Sequence, residues 1–85
     1  MILFSLAFIT DRQLRAARAW LGWTQTELAK NAGVTLGTIH RLEAKNGTIG
    51  CRADTLDSVI AAIEATGLRF VTEDFIGIKA KRGTR

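Results

Sequence analysis

Residues 24 to 43 read TQTELAKNAGVTLGTIHRLE, and the fold turns on how this stretch is parsed. Thr24 with Glu27 three residues later forms the reciprocal capping-box pattern, and Trp23 and Leu28 flank the cap at hydrophobic-staple spacing. The pattern predicts a helix that starts at about Gln25. Gly33 follows Ala32 where this helix should end, because glycine takes the left-handed backbone conformation without Cβ strain. Thr35 then predicts the cap of a second helix, with Val34 and Ile39 at staple spacing. Leu28, Ala29, Ala32, Val34, Ile39 and Leu42 are the expected apolar contacts between the two, and the small side chain of Ala29 lets their axes approach closely.

On the N-terminal side, Thr10 with Gln13 predicts another capping box, with Ile9 as the staple residue opposite Leu14. The helix it opens should run to about Leu21, with Leu14, Ala17 and Leu21 inward and Gly22 as its stop. Trp20 is expected as a core or interface residue rather than a platform for base stacking. On the C-terminal side, Ala44 to Arg52 reads as a loop, since two glycines, an asparagine and a threonine break any helical period. Asp54 is expected to cap a last helix carrying Leu56, Val59, Ile60 and Ile63 on one face, with Gly67 as its stop. Residues 68–72 and 75–80 are β-branched, aromatic and apolar stretches that predict a short strand or hairpin. A hairpin is marginal alone in water, so it should pack on the helices, pair with residues 2–8, or pair with a second subunit. The organisation that follows is an apolar extension or strand at 1–9, a helical domain at 10–67, a strand or hairpin at 68–80 and a basic tail at 81–85.

Composition narrows the classes. A chain of 85 residues, 47% apolar, is one small domain with enough apolar surface for a core. The run MILFSLAFI at 1–9 lacks the charged leader and cleavage site of a secretory signal and is half the length that spans a bilayer. A lone Cys51 permits no internal disulfide, and with a lone His40 it falls short of zinc-site spacing. Cys51 is expected to be a small, semi-buried side chain. A cytoplasmic protein with no metal, no cofactor and no membrane role is the expectation. The net charge is +4, but Lys79, Lys81, Arg82 and Arg85 fall in the last seven residues; without them eight bases face eight acids. Any attraction for a polyanion must then come from charges gathered on one face and from the tail. No nucleophile–base–acid set and no phosphate-cradling glycine loop is present, because Gly47 and Gly50 lack both the G-x-G-x-x-G spacing and a preceding strand, so no enzyme is expected and there are no candidate catalytic residues.

Gln25, Leu28-Ala29, Ala32-Gly33-Val34, Ile39, Leu42 and Glu43 together resemble the helix-turn-helix of the Cro and lambda-repressor-like family, also called the XRE family, and the likeness extends from about Leu14 to Phe70. The resemblance implies a mainly α fold, a lambda-repressor-like bundle of about four helices with a short C-terminal β-strand or hairpin. It implies an ion pair between Arg18 and Glu43, and the physical reason for such a pair is that a charge among apolar neighbours needs a partner. It also implies double-stranded DNA as partner, with helix 35–43 in the major groove and a homodimer on a two-fold operator. Since Ile39 and Leu42 face inward, Thr35, Leu36, Gly37, His40 and Arg41 are the candidate base contacts. Arg41 is the leading one, because a guanidinium makes two bonds to guanine O6 and N7, and Leu36 suits a thymine methyl. Thr24 and Gln25, at a helix start where free N–H groups and the dipole favour phosphate, are candidate backbone contacts together with Thr38. As in the resembling family, the loop adds Lys45, Asn46, Thr48 and Arg52 as candidate phosphate contacts. Two departures stand out: Gly37 lies where the family tends to carry a larger polar or basic side chain, and the glycine that follows the family's glutamate is delayed to Gly47.

Three roles follow. The first is a sequence-specific, repressor-like transcriptional regulator. The second is the antitoxin of a toxin–antitoxin pair, with residues 68–85 holding a protein partner. The third is a protein-interaction module that binds no DNA.

Overall fold

The computed structural model describes residues 9–71 and 77–80. Four helices, α1 (Asp11–Leu21), α2 (Gln25–Ala32), α3 (Leu36–Glu43) and α4 (Ala53–Glu64), are followed by strands β1 (Leu68–Val71) and β2 (Gly77–Ala80). The fold is therefore mainly helical with a short C-terminal hairpin. The calls on residues 1–8, 72–76 and 81–85 lie outside the described residues.

Local chemistry sets the first three helices. Thr10 and Thr24 each accept from the backbone N–H three residues on, while Gln13 and Glu27 reach back to the cap N–H groups. Both capping boxes thus satisfy two first-turn donors reciprocally, an arrangement that contributes about 1 kcal/mol per cap. Thr35 caps α3 through Thr38 N. Gly22 and Gly33 close α1 and α2 in the left-handed conformation, at φ 71° and 72°.

The last helix departs from expectation at both ends. Its N-cap is Arg52, which makes no side-chain capping bond, and Asp54 stands two residues inside the helix. There its carboxylate faces the positive end of the helix dipole and lies 3.3 Å from Arg52 Nε, so it stabilises the first turn through charge rather than as the cap. At the far end the helix finishes at Glu64 with Ala65 still right-handed, and Gly67, at φ 103°, turns the chain into β1 instead of stopping the helix itself.

Leu14, Ala17, Leu28, Ala29, Ile39, Leu42, Val59, Ile63 and Leu68 form one buried cluster drawn from all four helices and β1. Half-buried Leu21, Trp23, Ala32 and Val34 pack against it. Ile9 belongs to a second cluster with Leu56 and Ile60, not to that of Leu14, because the chain entering α1 lies against α4. Trp20 is 48% exposed and is no part of the core. The strands pair antiparallel, Leu68 opposite Ala80 and Val71 opposite Gly77. β1 rests on α4 and β2 on α1, so the hairpin is backed by helices.

Candidate nucleic-acid interface

Two faces of α3 have opposite fates. Ile39, Leu42 and Glu43 are buried, whereas Leu36, Gly37, His40 and Arg41 are exposed, as is the cap residue Thr35. Ile39 and Leu42, three apart, drive one side into the core, so the remaining positions of the 3.6-residue turn project outward. Leu36 keeps 39% of its surface in solvent despite being apolar. Arg41 Nη2 donates to Thr38 Oγ1 at 3.2 Å, and the Thr38 and Thr35 hydroxyls are bonded at 2.9 Å. A Cβ placed on Gly37 would stand 3.7 Å from Arg41 Nη1, so the guanidinium lies across the glycine.

The inner end of α3 is pinned by its last residue. Glu43, with a side chain only 4% exposed, accepts from Arg18 Nε at 2.7 Å, Arg18 Nη2 at 3.1 Å and Gln25 Nε2 at 2.9 Å. Arg18 also donates from Nη1 to Trp23 O at 3.0 Å. One carboxylate thereby joins α1, α2 and α3, and charge-assisted bonds offset the cost of burying it. Arg15, four residues from Asp11 and paired with it at 2.8 Å, donates to the main-chain oxygen of Glu43. Asp11 in turn accepts from Asn46 N at 3.3 Å, which ties the loop after α3 to α1. The Arg15 guanidinium holds the Asp11 carboxyl below its usual range, helped by that backbone donor. Asp11 and Arg15 are absent from the sequence-derived site; their i,i+4 spacing is legible, but their reach to the far loop is not.

The loop itself is built on two backbone features. Asn46 adopts φ 63°, a left-handed position that asparagine tolerates better than most residues. A Cβ on Gly47 would fall 1.9 Å from Arg41 O and within 3 Å of the Leu42 and Ala44 oxygens, so only glycine lets the chain fold under the end of α3. Thr48 then turns inward: it is buried and its hydroxyl donates to Ile9 O at 3.1 Å. Thr48 is therefore corrected from a phosphate contact to a strut between the loop and the segment before α1. Lys45, Asn46 and Arg52 are exposed. Thr38, Arg41, Asn46, Arg52 and the unforeseen Thr55 border one hollow of about 320 Å³ between α3 and the start of α4. Cys51 is half-buried there, with burial raising its thiol pKa. Lys45 does not line the hollow.

At the start of α2, the Thr24 hydroxyl is engaged by Glu27 N, and the Gln25 side chain is turned toward Glu43. What Gln25 offers outward is the N-terminal turn of α2, whose leading N–H groups have no intrahelical acceptor. A helix-turn-helix domain model matches residues 12–70, which takes in α1 through most of β1. The chain belongs to the helix-turn-helix domain family. A comparison with curated proteins finds no match. In the helix-turn-helix domain as it stands here, α2 and α3 are the paired helices, and α3 leaves Leu36, Gly37, His40 and Arg41 exposed on its outer face. Among the described residues, no helix is long and apolar enough to cross a membrane, and no group of three or more His, Cys, Asp or Glu could hold a metal ion.

Proposed function

We propose that this helix-turn-helix domain is a sequence-specific transcriptional regulator that acts in the cytoplasm by occupying double-stranded DNA rather than by catalysis. The observation that carries the reading is the outer face of α3, where Leu36, His40 and Arg41 stand exposed on a helix whose opposite face is locked into the core. A helix of this kind fits the major groove, where each base pair displays its own donor and acceptor pattern. In this arrangement Arg41 reads guanine, Leu36 meets a thymine methyl and His40 contacts a neighbouring base or phosphate. Lys45, Asn46, Arg52 and the N-terminal turn of α2 hold the duplex backbone, setting register without reading sequence. A homodimer on a two-fold site, with half-sites about 34 Å apart, would multiply the few contacts that one small domain makes.

The test is selection of bound duplexes from a random pool by the full chain, followed by anisotropy titration between 50 and 200 mM salt. Enrichment of a defined sequence is expected, with log affinity falling linearly against log salt. A protein-interaction module would give neither enrichment nor salt dependence, and that result would overturn the proposal. Co-purification of a partner through residues 68–85 would favour the antitoxin role.

A further inference from the structure

The placement of Arg41 on α3 raises a geometric question. It is the sixth residue of an eight-residue helix, whereas base contacts in a groove-inserted helix come mainly from its N-terminal part. Helical side chains lean toward the N-terminus, and here the lean is carried further. The guanidinium reaches back a full turn, donates to Thr38 Oγ1 and covers Gly37. Thr38 is itself bonded through its hydroxyl to Thr35, the N-cap. Gly37 is exposed and carries nothing that competes for this seat.

We propose that Thr38, backed by Thr35, is a positioning residue that holds the Arg41 guanidinium over the bare backbone at Gly37, so that Arg41 does the base reading a side chain at position 37 would otherwise do and sets a preference for guanine there. The proposal rests on the DNA reading above and adds the device that selects the base. A guanidinium has five N–H donors; one is spent on Thr38, and the four that remain are enough for the two bonds that guanine O6 and N7 accept. Because Thr38 limits the rotamers of a long side chain before binding, less freedom is lost on docking. Thr35 and Thr38 thereby act through Arg41 rather than on DNA directly.

The test compares full-length wild type, Thr38→Val, Thr38→Ser and Gly37→Leu. Two probes are used: the duplex most enriched by wild type from a random pool, and a scrambled duplex of the same composition. Thr38→Val removes the hydroxyl at nearly constant volume, and Gly37→Leu fills the seat from the other side. Each is expected to lower the ratio of selected to scrambled affinity roughly fivefold or more, the lower end of what one bidentate base contact contributes. Thr38→Ser should keep the ratio, and thermal midpoints should not follow the ratio across the set. A ratio within twofold of wild type in both Thr38→Val and Gly37→Leu overturns the positioning role, as does a fall in Thr38→Ser equal to that in Thr38→Val. If wild type itself fails to distinguish the two duplexes, the DNA reading fails; if wild type distinguishes them and Thr38→Val and Gly37→Leu do so equally well, only the positioning role fails.

Discussion

Replacing Glu43 by glutamine tests the junction on which the position of α3 depends. Glutamine keeps the volume and one acceptor oxygen but removes the charge, leaving Arg18 beside a neutral amide. It also sets an NH₂ donor against an Arg18 donor whichever way the amide is turned, because Arg18 donates to both carboxylate oxygens and Gln25 to one of them. Breaking a buried ion pair by removing one partner costs about 3–5 kcal/mol. Here the Arg18 side chain keeps 23% exposure and its bond to Trp23 O, which relieves part of that cost, so the loss should fall near the lower end, about 3 kcal/mol. For a domain of this size, stability is on the order of 4–13 kcal/mol, so the loss is a large fraction of the total. In urea, with a slope of about 1–2 kcal/mol/M, the midpoint should fall by roughly 1.5–3 M. Fluorescence of half-buried Trp23 reports the transition, over a background from exposed Trp20. The decisive comparison is the cycle with Arg18→Met. If the charges are coupled, the double variant should lose clearly less than the two single losses combined. A midpoint shift below about 0.5 M, or strict additivity in the cycle, would refute the claim that one carboxylate holds three helices together.

Gly47→Ala should cost about 3 kcal/mol or more, because its Cβ meets main-chain oxygens that cannot swing away; a thermal midpoint equal to wild type would refute this. Gly37→Ala should do the opposite, raising stability by up to about 1 kcal/mol, since its Cβ finds only ordinary contacts. Asp11 has a carboxyl pKa lowered from 3.8 by Arg15, so its contribution is present above about pH 4 and is lost as pH falls through the lower folded value. Asp11→Asn should therefore be less stable than wild type at pH 7 and converge with it toward pH 2; an unchanged gap in urea midpoint at the two pH values would count against the link. Arg41→Ala should lose roughly 1–3 kcal/mol on a selected duplex and relax base choice, whereas Arg52→Ala should weaken all sequences alike and flatten the salt slope. Equal losses on selected and scrambled DNA from Arg41→Ala would remove it from base reading.

The parts of this protein that the sequence determined by itself are those whose causes lie within a few residues. Thr10 with Gln13, Thr24 with Glu27, and the glycines at 22 and 33 mark helix ends by hydrogen bonds and backbone freedom that need no distant partner. The spacing of Ile39 and Leu42 likewise tells which side of α3 turns inward. The last helix was less legible: Asp54 has the chemistry of a cap, yet the loop packed under α3 brings the chain in so that the helix begins at Ala53. Only the tertiary structure decided which polar groups remain available outside. Thr48 and Gln25 look alike on paper as surface hydrogen bonders, but one meets Ile9 O and the other meets Glu43, thirty-nine and eighteen residues away. Such pairings depend on how the helices stack, and a buried polar atom takes whatever partner that stacking brings within reach.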